Sequence, residues 1–182
     1  MKGFSVDEVY QRSIAVGSKA RLVAHCISSQ PRDAEESLTA GLLHDIGKLI
    51  LVSQLPEQYR QVIDLAREQK ISLSTAEQAI FGVHQSAVGA YLIGLWGFVS
   101  PIVEAIGFNH ALDTYPANSF TPALAVHVAN VLYYRHRPDE IVGRSQDLHL
   151  PVIERLALQD KIPDWERICT EMMQVDEERQ GS

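Results

Sequence analysis

Apolar residues recur at three- and four-residue steps along almost the whole chain, the spacing that places them on one face of a helix. The first such segment opens on a capping box, in which Ser5 and Glu8 would each satisfy an orphan backbone amide, and it runs to about Cys26. A second segment begins near Asp33 and keeps the same spacing to Val52. We therefore predict two long helices at the start of the chain.

The rest of the chain continues this pattern, and proline or a second capping box, Ser74 to Glu77, marks most of the helix starts. Further helices are predicted at about 56–70, 74–82, 84–96, 100–110, 121–137, 151–158 and 163–179. No segment alternates apolar and polar residues over the length of a strand. The sequence thus predicts an all-α protein whose polar tail, from Asp176, frays.

Composition and charge narrow the class of protein. The 182 residues, 46% hydrophobic and 21% charged, are typical of a soluble globular domain. The formal net charge of −7 disfavours bulk binding to nucleic acid or to an anionic membrane. No apolar run reaches the roughly 18 residues of a membrane span. The two cysteines, Cys26 and Cys169, are far apart in sequence, which excludes a disulfide scaffold, so we expect a cytoplasmic protein.

The segment from Leu38 to Val52 holds the most informative polar residues. Nearly every side of this predicted helix is apolar, so His44 and Asp45 at its centre must find partners. The pair alone is more typical of a buried hydrogen-bonded network than of a metal site, although the two side chains could converge on one ion. Gly41 and Gly47 indicate that another helix or a ligand approaches closely.

Other predicted helices also carry polar residues among apolar ones. His84 precedes a long apolar helix, His110 ends another, and Asn130 lies on the apolar face of a third. Each residue alone is typical of a structural role, such as a cap or a contact with the helix dipole. Together they resemble the inward-pointing sets from which helical bundles build metal or ligand sites.

These segments resemble the HDOD branch of the HD superfamily of metal-dependent phosphohydrolases. The sequence AGLLHDIGKLIL at 40–51 is similar to the HD signature, and FGVHQSAVGAYLIGLW at 81–96 and SPIVEAIGFNHA at 100–111 are similar to the HDOD pattern. The likeness covers roughly residues 9–137 and is weaker for the related HD-GYP group. It implies an HD-type bundle of about seven to nine helices over 1–140, followed by a helical extension over 141–182.

The resemblance also implies a set of site residues. His44 and Asp45 match the central metal-binding pair, and Lys48 matches a lysine placed near phosphate. His84 and His110 match the additional histidines of members that bind two metals. In active members a metal activates a water that attacks a phosphoester. We accordingly predict a partial divalent-metal site at His44, Asp45, His84 and His110.

Two positions depart from the family pattern. Arg12 stands where the first-helix histidine is expected, and Asn130 stands where the distal aspartate is expected. Arginine is always protonated and only donates, so it cannot ligate a metal, and asparagine lacks the anionic charge that holds a hard cation. Half of the metal site is therefore lost. Asn109 also replaces the first member of a histidine pair.

Three hypotheses follow. The first is a non-catalytic HDOD output module of a bacterial signal transduction protein or response regulator, with no cofactor or a partly occupied metal. Its partner would be a protein or a regulatory domain in a longer chain, because the HDOD fold normally begins with a helical half upstream; a homodimer is left open. The second is a metal-dependent phosphodiesterase acting on a nucleotide or cyclic dinucleotide, and the third is a helical adaptor without a site.

Overall fold

The computed structural model describes residues 5–108, 111–115, 118–135 and 147–180, and within them the fold is helical with no strand. The prediction of an all-α protein is confirmed. The helices are α1 (Val6–His25), α2 (Pro31–Leu43), α3 (Ile46–Gln54), α4 (Pro56–Gln69), α5 (Leu73–Phe81), α6 (Gln85–Leu95), α7 (Ser100–Phe108), α8 (Pro122–Arg135), α9 (Leu150–Arg155) and α10 (Ile162–Gln180), with short 3₁₀-helices at Leu112–Thr114 and Gln159–Lys161. None of the described helices is both long and apolar enough to span a membrane.

Helix α8 forms the centre of the bundle. Nearly all of its residues are buried, and α1, α2, α7 and α10 pack around it. A helix that is apolar on almost every side must be enclosed by other helices, which explains this position. Trp165 and Cys169 of α10 are fully buried in the same core, so the C-terminal helices share it. The domain division near residue 140 and the fraying tail stay predictions.

A close crossing joins α1 to α2. A Cβ atom built at Gly41 would lie 2.6 Å from the Cα of Gly17, closer than real side chains come. A second close crossing joins α3 to α6, where a Cβ atom at Gly47 would meet the carbonyl oxygen of Gln85 and lie 2.7 Å from the amide nitrogen of Gly89. Both glycines flagged in the sequence therefore mark contacts between helices.

The prediction of one continuous helix from Asp33 to Val52 is wrong. The chain turns at His44 and Asp45, so that α2 ends at Leu43 and α3 begins at Ile46. Asp45 has φ −107° and ψ 13°, outside the helical region, while its carbonyl oxygen already accepts the first bond of α3, from the amide of Leu49. The glycines on either side of this turn pack on different helices, Gly41 on α1 and Gly47 on α6.

The capping predictions had two outcomes. Ser5 caps α1 as predicted, its side chain accepting a hydrogen bond from the amide of Glu8 at 3.3 Å. The cap of α5, however, is Ser72, whose side chain accepts from the amide of Thr75 at 2.9 Å. The capping box at Ser74 to Glu77 is therefore wrong, and Glu77 is a buried residue within the helix.

Candidate functional site

The His-Asp step lies on the turn between α2 and α3, and both side chains are buried. The Nδ1 atom of His44 is 2.7 Å from the carbonyl oxygen of Gly41. Because a carbonyl oxygen only accepts, Nδ1 carries the proton, and Nε2 lies 3.5 Å from Oδ2 of Asp45. The turn therefore brings the two side chains together, which a straight helix would hold about 100° apart.

Arg12 reaches this step from α1. Its Nη2 atom donates to Oδ2 of Asp45, and both side chains are buried. The guanidinium carbon also lies 5.9 Å from the ring centroid of Tyr134 on α8, within range of a cation–π contact. The residue that departs from the family pattern thus holds a positive charge directly on the central aspartate.

Gln85, the first residue of α6, binds the other oxygen of the aspartate. Its Nε2 atom donates to Oδ1 of Asp45 at 3.3 Å, and its Oε1 atom accepts from the amide of Lys48 at 3.1 Å. The crossing of α3 and α6 at Gly47 makes this short reach possible. Both oxygens of Asp45 therefore accept hydrogen bonds from side chains on neighbouring helices.

Glu77 extends the network to α4. Its Oε2 atom accepts from the amide of Gln85 at 2.9 Å, and its Oε1 atom accepts from the hydroxyl of Tyr59 at 2.9 Å. Burial raises the pKa of the Glu77 carboxyl, an effect that these bonds and the charge of Lys48 oppose. Arg12, Asp45, Gln85, Glu77 and Tyr59 thus form a continuous buried polar network.

The other predicted site residues lie around this network. His84 is half-buried at the start of α6, and its Nδ1 atom is 2.9 Å from the hydroxyl oxygen of Ser74 and 3.0 Å from its carbonyl oxygen. Lys48 is buried on α3. Asn130 is buried on α8, and among the described residues its Oδ1 atom has no hydrogen-bond partner. His110 and Asn109 lie outside the described residues.

Acidic and metal-binding side chains do not form a larger cluster in the part of the chain that the structure describes. No three His, Cys, Asp or Glu residues there come together as a group able to hold a metal ion. Asp45 contributes a carboxylate, but Arg12 and Gln85 already bind its two oxygens. The described arrangement therefore fits a divalent cation only if Arg12 moves away.

Sequence reasoning missed three members of the buried polar network: Tyr59, Glu77 and Gln85. The sequence places Glu77 in a predicted capping box, and Gln85 is a neutral residue next to the more conspicuous His84. The sequence does contain a signal, because Glu77 stands three residues before Ile80 and four before Phe81 on a short apolar helix, where an uncompensated charge is costly. Such a residue needs partners from other helices.

Comparison with known proteins agrees with this fold. The family model described as the HDOD domain matches residues 1–112. An HDOD domain protein of unknown function from Geobacter sulfurreducens superposes with a TM-score of 0.69 at 22% identity, over 90% of this chain and 61% of that one.

Two further solved structures are similar. A provisionally assigned signal transduction protein from Marinobacter aquaeolei VT8 has a TM-score of 0.73 at 20% identity, over 91% of this chain and 36% of that one. The MmoQ response regulator from Methylococcus capsulatus has a TM-score of 0.60 at 22% identity, over 92% of this chain and 62% of that one. At these identities the likeness shows the fold alone, and the chain spans less than two thirds of each relative.

Proposed function

The chain belongs to the HDOD family, and on that premise we propose that it is a non-catalytic signalling module whose metal site has been replaced by an internal ion pair. The observation that carries the proposal is the buried contact between Arg12 and Asp45. A guanidinium supplies a fixed positive charge where active relatives of the superfamily hold a cation. It offers no open coordination position and cannot activate a water.

Electrostatics supports this proposal. A metal that binds Asp45 would have to displace Arg12, whose guanidinium would then be buried without its carboxylate. Separating a buried ion pair in this way costs about 3–5 kcal/mol, which weakens metal binding by at least about a hundredfold. Asn130 cannot compensate, because its neutral amide lacks the charge of the aspartate expected there.

The proposed signalling role rests on the names of solved structures that share this fold. Two similar structures carry the names signal transduction protein and response regulator, and all three relatives are longer than this chain. We propose that the module relays a state to a protein partner or to a regulatory domain of a longer chain. Its cytoplasmic location and the absence of bulk nucleic-acid binding stay predictions from composition.

A second candidate is a slow metal-dependent phosphodiesterase that uses Asp45, His84 and His110, supported by His44, with Lys48 near phosphate. The observation in its favour is the adjacency of the buried His44 and Asp45 side chains, 3.5 Å apart. It requires that Arg12 leave Asp45. It also requires that His84, whose Nδ1 atom contacts Ser74, present its other ring nitrogen to the ion.

Hydrolysis assays separate the two candidates. A generic phosphodiester and cyclic dinucleotides are incubated with the protein and added Mn²⁺ or Fe²⁺. The proposal predicts no turnover above that of the matched His44→Ala and Asp45→Ala proteins. Turnover that disappears in both variants would show an active hydrolase.

Metal content gives an independent test. Elemental analysis of protein purified without chelators should find less than about 0.1 divalent metal per chain, since the ligands are incomplete. Stoichiometric manganese or iron that is lost in Asp45→Ala would support the second candidate.

A further inference from the structure

The tip of the hairpin formed by α6 and α7 exposes an unusual number of large apolar side chains. Tyr91 is 72% exposed, Leu95 66% and Trp96 59%, and Phe98 and Val99 are also exposed. We name these five residues the apolar tip. Together they present on the order of 500 Å² of surface, comparable to the largest apolar patch on a typical monomer, which is often a binding site.

The apolar tip lies in a stretch without formal charge. From Gln78 to Val103 the sequence contains no Asp, Glu, Lys or Arg, although charged residues make up 21% of the chain. A surface exposed only to water gains solubility from charged side chains, so their absence here indicates that the surface is covered in the working protein.

The apolar tip is also preformed. Helix α6 ends in a Schellman motif, with the amide of Gly97 bonded to the carbonyl oxygen of Gly94 at 3.1 Å and the amide of Phe98 bonded to that of Ile93 at 3.2 Å. Gly97 has φ +81°, a conformation that favours glycine. The turn is therefore closed by hydrogen bonds, and ordering it on binding costs little.

We propose that the apolar tip is the contact surface for a second copy of this chain, related by a twofold axis. Each chain carries a net charge of −7, so two copies repel each other wherever their acidic surfaces meet. The charge-free tip is a face on which two copies can approach without opposing like charges. A second exposed apolar stripe, with Val6 and Tyr10 on α1, lies beside the exposed Asp7 and Glu8, so a contact there would bring acidic groups together.

The shape of the apolar tip suits an isologous contact. Large side chains at Leu95, Trp96 and Phe98 alternate with glycines at 94 and 97. A Cβ atom at Gly97 would meet nothing within 4 Å, and one at Gly94 would meet only Val103 at 3.9 Å. One surface thus offers both projections and hollows, which a twofold contact requires of each copy. Its modest area, smaller than that of a standard stable interface, indicates a weak dimer.

Sedimentation velocity of the full chain over increasing concentration tests this inference, which does not depend on the proposed function. The wild-type protein should approach the mass of a dimer by about 200 µM, and added salt should not weaken the dimer because no charges are paired. Leu95→Glu and Trp96→Glu should weaken association at least about tenfold. Tyr10→Glu, which changes an equally exposed aromatic on α1, should leave it unchanged.

A charge-complementation experiment identifies the occupant. Leu95→Glu and Leu95→Lys should each be monomeric and folded by circular dichroism, and an equimolar mixture at low salt should restore dimers, because the two tips of a mixed dimer then carry opposite charges. Three results would overturn the proposal: a wild-type protein that is monomeric at about 200 µM, dimers that persist in Leu95→Glu, or a mixture that stays monomeric. The first result would mean that the tip binds a different kind of partner.

Discussion

Two regions of the molecule depart from the usual distribution of side chains. The turn between α2 and α3 buries charged groups, whereas the apolar tip of α6 and α7 exposes apolar ones. At the turn, Arg12 and Asp45 are charged and buried, and each oxygen of the carboxylate accepts a hydrogen bond. At the tip, Leu95 and Trp96 are apolar and exposed. Buried polar groups whose hydrogen bonds are all made stabilise one arrangement of the fold. Exposed apolar groups contribute favourable free energy only when another surface covers them.

This difference indicates which region interacts with other molecules. The resemblance to phosphohydrolases directs attention to the buried turn, but its carboxylate is already bound within the protein. The apolar tip has no comparable set of partners among the described residues. The comparison therefore favours the surface as the region that contacts other molecules and the buried turn as a region that stabilises the fold.

Breaking the ion pair should have the largest effect. Arg12→Ala removes the guanidinium that binds the buried carboxylate of Asp45, so we expect the free energy of unfolding to fall by about 3–5 kcal/mol, measured by urea denaturation. Arg21→Ala is the matched control, because Arg21 also lies on α1 and pairs with Glu35 of α2 at 2.7 Å, but on the surface. That variant should lose less than about 1 kcal/mol. Equal losses in the two variants would contradict the account.

The glycine contact beneath the turn should have the next largest effect. Gly47→Ala would bring a Cβ atom against the backbone of Gln85 and Gly89, which cannot move without separating α3 from α6. We expect a loss of about 2–4 kcal/mol in unfolding free energy. Gly94→Ala in α6 has open space and should be neutral or stabilise by up to about 1 kcal/mol, measured at concentrations where the chain is monomeric. A neutral Gly47→Ala would show that the close contact of α3 with α6 is misassigned. A Gly94→Ala that destabilises as much as Gly47→Ala would show that the loss does not come from that contact.

Glu77 should give the buried network a pH dependence. Burial raises the pKa of its carboxyl above the ordinary value of 4.5, so the folded state holds a proton more tightly than the unfolded state. Its contribution to stability is therefore complete below about pH 4.5 and is lost as the pH rises through the raised pKa.

Urea unfolding of the wild-type protein and of Glu77→Gln across this range measures the effect. Glu77→Gln should lack the decline in unfolding free energy with rising pH that Glu77 causes, since its amide does not titrate. Glu68→Gln, on the exposed face of α4, should retain that decline. Parallel curves for the wild-type protein and Glu77→Gln would show that Glu77 is not the responsible group.

The smallest expected effect on stability is at the apolar tip. Leu95→Ser removes an exposed side chain, so the unfolding free energy of the dilute monomer should change by less than about 0.5 kcal/mol. Denaturation at low concentration checks this value. A loss comparable to that of Arg12→Ala would mean that the tip packs within its own chain.

Much of the fold could be predicted from the sequence, because its signals are local. Ser5 and the prolines at 56, 101 and 122 fix helix starts through their own backbone geometry. The turn at His44 and Asp45 could not be predicted in this way. Leu42, Asp45 and Leu49 keep the helical spacing across it, and the sequence does not show that the residues before and after the turn pack on different helices, α1 and α6.

The candidate site was predictable to a similar extent. The motif predicts that His44 and Asp45 belong to one site, and the lost ligand that the departure at Arg12 implies stays a prediction. That Arg12 binds Asp45 could not be read from the sequence, since the two residues belong to different helices. The same holds for Gln85 and Glu77, which are joined only after α5 and α6 pack against the turn.

The most direct test of the central claim is a calorimetric titration of Mn²⁺ into the wild-type protein and into the double variant Arg12→His/Asn130→Asp, which restores the residues expected at both positions. If an internal guanidinium has replaced the metal, the wild-type protein should give no saturable heat and the variant should bind Mn²⁺. Stoichiometric, tight binding of Mn²⁺ by the wild-type protein would contradict that claim.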